Sequence, residues 1–526
     1  MSPAPSPPPP VQWAKVIDHA RCIGCHACTT ACKSENQVPV GVTRTYVKSV
    51  DVGVFPTARR AFQVTRCNQC ADAPCVAACP TAAMHRRPDG IVDFDKSICI
   101  GCKACMAACP YDAIFINPED HSAEKCNLCA HRLDVGLEPA CVVVCPTEAI
   151  AVGDLNDPLA RVTGYVDRDA VTVRRPEKGT HPRLFYKGAH AATLDPLAAE
   201  RPAGGLFMWS EQGAGGPGAV PAGRPPAGAS SAAALLSYDV PHRVPWDHRV
   251  SLYTWTKSIA AGAFLVPVLM AALGVLGPAG WAHPLVGGIG PALALCFLVL
   301  TAAILVWDLE HPRRFLLVLL RPQPRSWLVR GGFILTGYGA LLALLLGVRL
   351  AGGAAGAGVG PGATVAAPGA ATVATAVLAG LTAVYTAFLF AQARARDLWQ
   401  SPLLPPHLLV QAVLAGAGAL LIVARFLAPG TVPPLARVFA AASALHLLLI
   451  LGETTLTHVT AHARQAVHEM VRGRLAFHFR AGVLLGLAGC AAVLPGLAVP
   501  AAAAGLLGLL AYEHAYVQAG QSVPLA

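Results

Sequence analysis

The sequence has little charge for its length, and no concentrated patch of it. Only 13% of its 526 residues are Asp, Glu, Lys or Arg, whereas soluble domains carry roughly 25%, so a single soluble globular enzyme is excluded. The formal net charge is +10, but the basic residues are scattered between apolar runs, which excludes nucleic acid as a partner. The sequence also lacks a nucleotide-binding fingerprint and a hydrolytic constellation. We therefore expect any substrate-converting chemistry to reside on another polypeptide.

No targeting signal is visible in the opening MSPAPSPPPPVQWAK, which has no basic start, apolar core or twin arginine. Residues 1–11 are expected to be a disordered Pro-rich tail. A disulfide scaffold needs an oxidising compartment, so we expect the cysteines to serve another purpose.

The cysteines and the apolar runs occupy different parts of the chain. Sixteen of the 18 cysteines lie between Cys22 and Cys145, and the long apolar runs all follow residue 256. The sequence therefore predicts an N-terminal domain over 12–195, a linker rich in Pro, Gly and Ala over 196–245, and a membrane domain over 246–526.

The sixteen cysteines form four groups of four. The third group matches C-x2-C-x2-C-x3-C-P, the bacterial ferredoxin run, in which the first three thiolates bind one [4Fe-4S] cubane and the fourth binds its neighbour. Such groups work in pairs. The predicted ligands are Cys22, Cys25, Cys28 and Cys32; Cys67, Cys70, Cys75 and Cys79; Cys99, Cys102, Cys105 and Cys109; and Cys126, Cys129, Cys141 and Cys145.

An internal repeat supports paired groups. VIDHARCIGCHAC at 16–28 resembles VDFDKSICIGCKAC at 92–105, with a short strand before each cysteine loop. A strand, a ligand loop and a short helix predict an α+β fold of tandem ferredoxin-like units. Zinc is disfavoured because four thiolates around one ion need no triplets followed by Cys-Pro, and c-type haem at C-x-x-C-H would remove two cluster ligands.

Over residues 12–160, the four motifs, their order and the ending GLEPACVVVCP resemble the four-cluster electron-transfer subunits of molybdopterin oxidoreductases. The resemblance implies four [4Fe-4S] clusters and a separate catalytic subunit, expected to be a molybdopterin oxidoreductase. It also implies that motif one pairs with motif four, and motif two with motif three. The implied ligand sets are Cys22, Cys25, Cys28 and Cys145; Cys126, Cys129, Cys141 and Cys32; Cys67, Cys70, Cys75 and Cys109; and Cys99, Cys102, Cys105 and Cys79.

Eight apolar runs follow, each near the length of about 20 residues that a helix needs to cross a bilayer. They predict an all-α integral membrane bundle embedded in lipid, and their many Gly and Ala residues suit close packing of helices. The runs are 258–277, 284–307, 331–348, 371–393, 403–424, 435–453, 480–498 and 500–517.

Basic residues near these spans are concentrated on one side. By the positive-inside rule this places the cluster domain and the C-terminus in the cytoplasm of a bacterial-type inner membrane. The basic residues are Arg243, Arg249, Lys257, Arg313, Arg314, Arg321, Arg325, Arg330, Arg394, Arg396, Arg464, Arg472, Arg474 and Arg480, against Arg349, Arg425 and Arg437 on the other side.

The membrane half carries a second resemblance, over about 245–526. WDLEHPRRF at 307–315, SWLVRGGFILTGYG at 326–339 and the C-terminal YEHAYVQAGQSVPLA are similar to the NrfD, or polysulfide-reductase membrane-subunit, family. This implies a quinone-reactive anchor without haem, exchanging electrons with a pool of menaquinone or ubiquinone. Members of that family commonly hold the iron–sulfur partner on the outer face, against the charge asymmetry.

Ionisable residues inside apolar helices are functional candidates, because each costs about 2.5–3.5 kcal/mol or more at the bilayer centre. Glu453 and His446 are seven residues apart, hence on one helix face about 10 Å apart, and they predict a proton relay with Asp308 as a second route. His446 is the only histidine expected well inside a span, which disfavours a b-type haem with two histidine ligands. Predicted quinone-binding residues are Lys257, His311, Arg313, Arg330, Tyr385, Gln392 and His458.

The sequence thus predicts a membrane-bound electron-transfer component that connects a quinone site to a separate catalytic subunit through four clusters. Whether the chain alone is an enzyme stays open. Two alternatives also stay open, a redox module that translocates protons or ions and a ferredoxin tethered to the membrane without quinone chemistry.

Overall fold

The computed structural model describes residues 10–200, 234–354 and 368–526. The described chain divides into two units, one up to Arg243 together with Pro524–Ala526, and one over Val244–Val523. This boundary lies two residues from the predicted start of the membrane domain.

The first unit is built from short strands. The larger sheet has the order β8-β1-β10-β9, in which β1 is parallel to β10 and antiparallel to β8; a second, antiparallel sheet has the order β11-β2-β3, and β4-β5 and β6-β7 are hairpins. The strands are β1 (Trp13–Asp18), β2 (Thr45–Val52), β3 (Arg59–Arg66), β4 (Met84–Arg86), β5 (Val92–Phe94), β6 (Ile114–Ile116), β7 (Ala123–Lys125), β8 (Ile150–Asp154), β9 (Val171–Thr172), β10 (Leu184–Lys187) and β11 (Ala234–Tyr238).

The helices of this unit are also short, and several follow cysteine loops directly. They are α1 (Ala27–Glu35), α2 (Pro74–Ala78), α3 (Ala104–Ala108), α4 (Ala130–Leu133), α5 (Ala140–Val143), α6 (Arg161–Arg168) and α7 (Ala191–Leu194). The predicted α+β class, with strand, ligand loop and short helix in succession, is confirmed.

The internal repeat is present in the backbone as well as in the sequence. His26 and Lys103 precede α1 and α3, and both are left-handed with φ 60°. Gly24 and Gly101 occupy matching loop positions with φ 70° and 68°. A Cβ on Gly24 would lie 2.2 Å from the Phe62 ring, so this loop requires glycine both for its backbone conformation and for its close packing.

Part of the predicted linker belongs to the first unit. β11 pairs antiparallel with β2 and buries Leu236, although β11 lies within 196–245. Low complexity therefore does not extend through the whole range, because ALLSY at 234–238 has the apolar residues that a sheet edge can bury.

The second unit is helical. Its helices are α8 (His248–Ala272), α9 (Gly290–Trp307), α10 (Leu317–Leu320), α11 (Trp327–Ala354), α12 (Ala370–Ala391), α13 (Leu404–Leu427), α14 (Val432–Thr455), α15 (Ala461–Val471), α16 (Ala476–Gly489) and α17 (Ala498–Ser522). Among the described residues, 8 helical segments are long and apolar enough to cross a membrane. The predicted all-α bundle of eight spans is confirmed.

Several span boundaries differ from the prediction by a few residues, and two of the differences have a physical reason. The first span begins at His248 rather than at 258, because its polar first turns are covered by neighbouring helices and so need not be apolar. The break between the last two spans lies at 494–497 and not at 499, since Pro500 falls in the first turn of α17, where a missing backbone N–H costs nothing.

Helix α8 lies at the centre of the unit and contacts α9, α12, α13 and α17. At its crossing with α13, a Cβ on Gly262 would lie 1.7 Å from the carbonyl oxygen of Ala412, and one on Gly416 would lie 2.0 Å from the backbone of Gly262. Backbone therefore meets backbone at this crossing, as small residues permit in membrane helices.

The outer helices present apolar side chains outward, as a lipid-facing surface requires. Exposed examples are Val299, Leu300, Phe333, Leu344, Val373, Val377, Phe426, Leu448, Leu451, Leu484, Leu487 and Leu507.

Gly262→Ala tests this crossing. The added methyl group must push α8 from α13, and overpacking of this kind costs about 1–3 kcal/mol, so the thermal unfolding midpoint in a fixed detergent should fall. Gly380→Ala is the matched control, because nothing lies within 4 Å of its Cβ position and alanine favours helix over glycine. An unchanged midpoint for Gly262→Ala would contradict the packing described.

Candidate functional site

The first unit gathers its cysteines into sets drawn from different motifs. Three cavities are each lined by four of them, three from one motif and one from another. The sets are Cys22, Cys25, Cys28 and Cys145; Cys67, Cys70, Cys75 and Cys109; and Cys79, Cys99, Cys102 and Cys105. The structure thus brings together three of the ligand sets that the resemblance implies.

The fourth set is Cys32, Cys126, Cys129 and Cys141, and each of these side chains is buried. The amide of Asn36 donates to Cys32 Sγ at 3.7 Å and to Cys129 Sγ at 3.8 Å, so it bridges two motifs. In the other three sets at least one cysteine is partly exposed, and Cys25 is exposed.

The sulfur spacing suits a multi-atom cluster. All 18 cysteines are free thiols. Among the described residues, no three Cys, His, Asp or Glu side chains approach closely enough to share a single metal ion, whereas one zinc draws its thiolates to about 2.3 Å from the metal. Four thiols from two motifs around one cavity, as at Cys99, fit a [4Fe-4S] cubane better.

Buried positive charge in the same unit provides an independent test of fit. Lys15 Nζ and Arg66 Nη1 donate to Cys141 Sγ at 3.3 Å and 3.0 Å, and no carboxylate among the described residues pairs with either. Arg66 Nε and Nη2 find no hydrogen-bond partner in the part of the chain that the structure describes. Buried cations require buried negative charge, which a thiolate-ligated cluster supplies.

The pKa values of the thiols reflect these charges. Burial and the neighbouring Cys126 and Cys141 raise the pKa of Cys32 to about 12. Burial acts in the same direction on Cys141, but Lys15 and Arg66 outweigh it and lower the pKa of that thiol to about 7. Bound iron would hold the remaining sulfurs as thiolates.

In the second unit, a buried polar group joins three helices; we call it the histidine cluster, consisting of His407, His446, Glu453 and Tyr512. His407 on α13 lies between the two α14 residues, with Nδ1 3.1 Å from Glu453 Oε1 and Nε2 2.8 Å from His446 Nδ1. Tyr512 on α17 donates to Glu453 Oε2 at 2.6 Å. The predicted pair Glu453 and His446 is thus bridged by a third ionisable side chain.

A second buried group lies on α8, α12 and α17. Lys257 Nζ donates to the carbonyl oxygen of Ala383 at 2.7 Å and lies 5.3 Å from the Tyr385 ring centre. Thr254 donates to Glu513 Oε2 at 2.8 Å, and within residues 10–200, 234–354 and 368–526 Glu513 Oε1 has no hydrogen-bond partner. The expectation that Lys257 lies at the start of a span is wrong, because α8 begins nine residues earlier and the Lys257 side chain is fully buried.

The remaining predicted residues are dispersed. Asp308 caps the end of α9, 3.4 Å from Arg249 Nε. Gln392 accepts from the Trp327 amide at 2.8 Å and thereby caps α11. His458 donates to the carbonyl oxygen of Glu453 at 2.9 Å.

Three further predicted residues lie at the helix ends. Arg313 is exposed and His311 is half-buried. Arg330 is exposed, donates to the carbonyl oxygen of Pro324 at 2.8 Å and lies over the Trp327 ring. None of the three belongs to either buried group.

Sequence reasoning missed His407, Tyr512 and Glu513. His407 lies in the first turn of α13 and is 1% exposed, so its burial, and not its depth in the span, makes it part of the site. Glu513 falls within the predicted run 500–517, so the rule applied to other ionisable residues in spans would have found it. Tyr512 gives no comparable signal, because an isolated tyrosine is common in apolar helices.

Comparison with known proteins supports the family resemblance of both the cluster half and the membrane half. Residues 58–155 match the family described as a 4Fe-4S dicluster domain, and residues 237–510 match the family described as polysulphide reductase, NrfD. The second match spans more than half of the sequence. This protein belongs to the NrfD family.

Relatives of the cluster part include subunits of reductases. Thiosulfate reductase electron transfer subunit PhsB of Salmonella typhi is 48% identical over 149 residues, covering 28% of this sequence and 78% of the relative. Arsenate respiratory reductase iron-sulfur subunit ArrB of Shewanella sp. is 36% identical over 219 residues, covering 32% and 94%. The protein NrfC homolog of Haemophilus influenzae is 43% identical over 180 residues, covering 34% and 80%.

This member of the NrfD family is therefore an iron–sulfur electron-transfer subunit joined to a multi-pass membrane anchor, as both resemblances predict. Its NrfD match includes His407, His446 and Glu453 and ends two residues before Tyr512. The histidine cluster is thus largely a feature of the NrfD region.

Paired serine substitutions test the cysteine sets. Cys32→Ser and Cys126→Ser, 94 positions apart in sequence, should each disturb the same cluster, so the double variant should lose no more iron than the worse single variant. Cys28→Ser and Cys32→Ser, four positions apart, should disturb different clusters, so the iron lost by the double variant should be the sum of the two single losses. Iron per chain and EPR spectra of the reduced protein measure both, and the reverse pattern would contradict the sets.

Proposed function

We propose that this protein carries electrons between a quinone in its NrfD region and a separate catalytic subunit, through four [4Fe-4S] clusters. The clusters supply one-electron transfer, and the protein sets their distances, potentials and proton access. The partner is a reductase or oxidase subunit of the molybdopterin type. About sixteen irons per chain follow from four cubanes.

The four sets of four cysteines support the cluster half of this proposal. Three sets each line a cavity, and the fourth shares a buried centre with the cations beside Cys141. Two of the relatives named above are subunits of reductases, which supports a catalytic partner.

One observation carries the quinone half. Every Asp, Glu, Lys, Arg and His buried in the described part of the second unit belongs to the half of the bundle that contains the α8 N-terminus and the α14 C-terminus. They are Lys257, Asp308, Arg396, His407, His446, Glu453 and Glu513. Ionisable groups in a membrane interior mark sites of function, so quinone chemistry belongs to this half.

Quinone reduction takes up two protons with two electrons, so the site needs a titratable donor. Glu453 lies two residues from the end of α14, and His446 lies about 10 Å deeper along the helix. His407 bridges them. A neutral imidazole donates from one nitrogen and accepts at the other, so His407 can receive a proton on one side and release one on the other.

Tyr512 holds the Glu453 carboxylate in place through its 2.6 Å hydrogen bond. The carboxylate then faces His407 with its second oxygen. We assign the quinone head to Lys257 with the Tyr385 ring beside it, since an ammonium beside an aromatic ring provides both charge and a flat surface.

The same distribution disfavours the proton-translocating alternative. A route across the whole membrane needs titratable groups in both halves, and the described part of the other half buries none. Proton exchange with one side is sufficient for quinone chemistry.

Glu453→Gln should slow quinone turnover by about 100-fold, because it keeps the shape and hydrogen bonding of the carboxylate but cannot carry a proton. Iron content should not change. Glu469→Gln is the control, since Glu469 lies on α15 with an exposed arginine partner. Quinol oxidation by membranes with the catalytic partner measures the effect, and normal turnover in Glu453→Gln would remove this residue from the route.

We also propose that the cluster domain is cytoplasmic, on the basis of the arginine asymmetry. Lys257 does not count toward the charge asymmetry, because it lies within the span that α8 forms rather than beside it. The arginines alone favour the same side. A reporter at the C-terminus should lack alkaline phosphatase activity, and one near Gly360, outside the described residues, should show it. The opposite result would place the clusters on the outer face.

A further inference from the structure

Two buried cations converge on one cysteine sulfur. Lys15 on β1 and Arg66 at the end of β3 are 2% and 1% exposed, and both donate to Cys141 Sγ. They come from different sheets, so the contact depends on the fold and not on sequence proximity. The Asn36 amide adds two longer contacts to sulfurs of the same set.

Contacts to sulfur in the other three sets include backbone amides and one buried cation. Cys145 Sγ accepts from the amide of Ala149 at 3.2 Å, and Cys79 Sγ accepts from the amide of Met84 at 3.4 Å. Lys125 lies beside Cys67 as a single cation. Its ammonium group also donates to the carbonyl oxygens of Val92 and Cys126. At Cys141 two buried cationic donors meet on one sulfur, whereas the contacts just named in the other sets are backbone amides or a single cation.

Hydrogen bonds to sulfur, net charge and solvent exposure set the potential of an iron–sulfur cluster. Reduction adds one negative charge, which burial alone disfavours. Two full positive charges at hydrogen-bonding distance act in the opposite direction. Because the Coulomb energy rises as the effective dielectric falls, the burial that opposes reduction also strengthens the attraction of Lys15 and Arg66, and these cations are already desolvated in the folded protein.

We propose that the cluster bound by Cys32, Cys126, Cys129 and Cys141 has the highest reduction potential of the four, and that Lys15 and Arg66 set it. This rests on the proposed four-cluster function. The electron comes from a neighbouring cluster, which is oxidised as this one is reduced. This cluster is therefore reduced first. It keeps that electron while the other clusters transfer the second electron of a quinol.

The test is an EPR-monitored redox titration of the purified full-length protein. The transition assigned to the Cys141 set, identified by its loss in Cys126→Ser, should have the highest midpoint. Arg66→Gln and Lys15→Gln should each shift that midpoint to a more negative value and leave the other three unchanged. Arg66→Lys keeps the charge and should restore most of the shift.

Arg60→Gln is the matched control. Arg60 lies on the same strand as Arg66, but it is exposed and pairs with Asp51, so all four midpoints should stay as in the wild type. A wild-type protein without four clusters would contradict the proposed function itself. Four clusters with an unchanged Cys141-set midpoint in both glutamine variants would overturn only this inference. If the Arg66→Gln variant lacks that cluster, the midpoint of the Cys141-set cluster in Lys15→Gln tests the inference by itself.

Discussion

The fold of the first unit depends on the burial of its cysteine side chains together. Cys70, Cys75, Cys79, Cys99, Cys105 and Cys109 pack in one core cluster with Met84, Val92, Tyr111 and Ile114, so the predicted ligands are also the core. Thiolates crowded in this way repel one another, and buried Lys15 and Arg66 would be equally unfavourable without them. Iron resolves both problems, since metal binding is coupled to folding. Short strands and helices suffice because the clusters replace a large hydrophobic core.

The membrane unit has to bury polar side chains away from lipid, and close packing of its helices achieves this. Glycines at the crossing of α8 and α13 bring backbones together, and this close packing lets α8 bury serine, threonine and lysine side chains in its first turns. Lipid never contacts these groups. The buried ionisable groups are confined to one half of the described bundle, which favours proton exchange with a single aqueous phase over transport across the membrane.

Much of this architecture could be predicted from the sequence. Cysteine spacing predicts all four motifs, and apolar runs predict eight spans, because both signals are local. Signals that depend on tertiary contacts were harder to find. Hydropathy places the first span too late, since it cannot tell that neighbouring helices cover Lys257. His407 is recognisable as a site residue only through its contacts with Glu453 and His446 on another helix. The segment β11 is a strand because it pairs with the edge of β2.

Electrons pass between the clusters and quinone within this one chain if the proposed function is right. The most direct test uses the purified full-length protein in lipid nanodiscs, reduced anaerobically and freed of excess reductant. Addition of a menaquinone or ubiquinone analogue should re-oxidise the clusters without any mediator, and the visible absorption of the oxidised clusters should return as quinol forms. Clusters that stay reduced in the presence of quinone, yet re-oxidise with a soluble acceptor, would contradict the account.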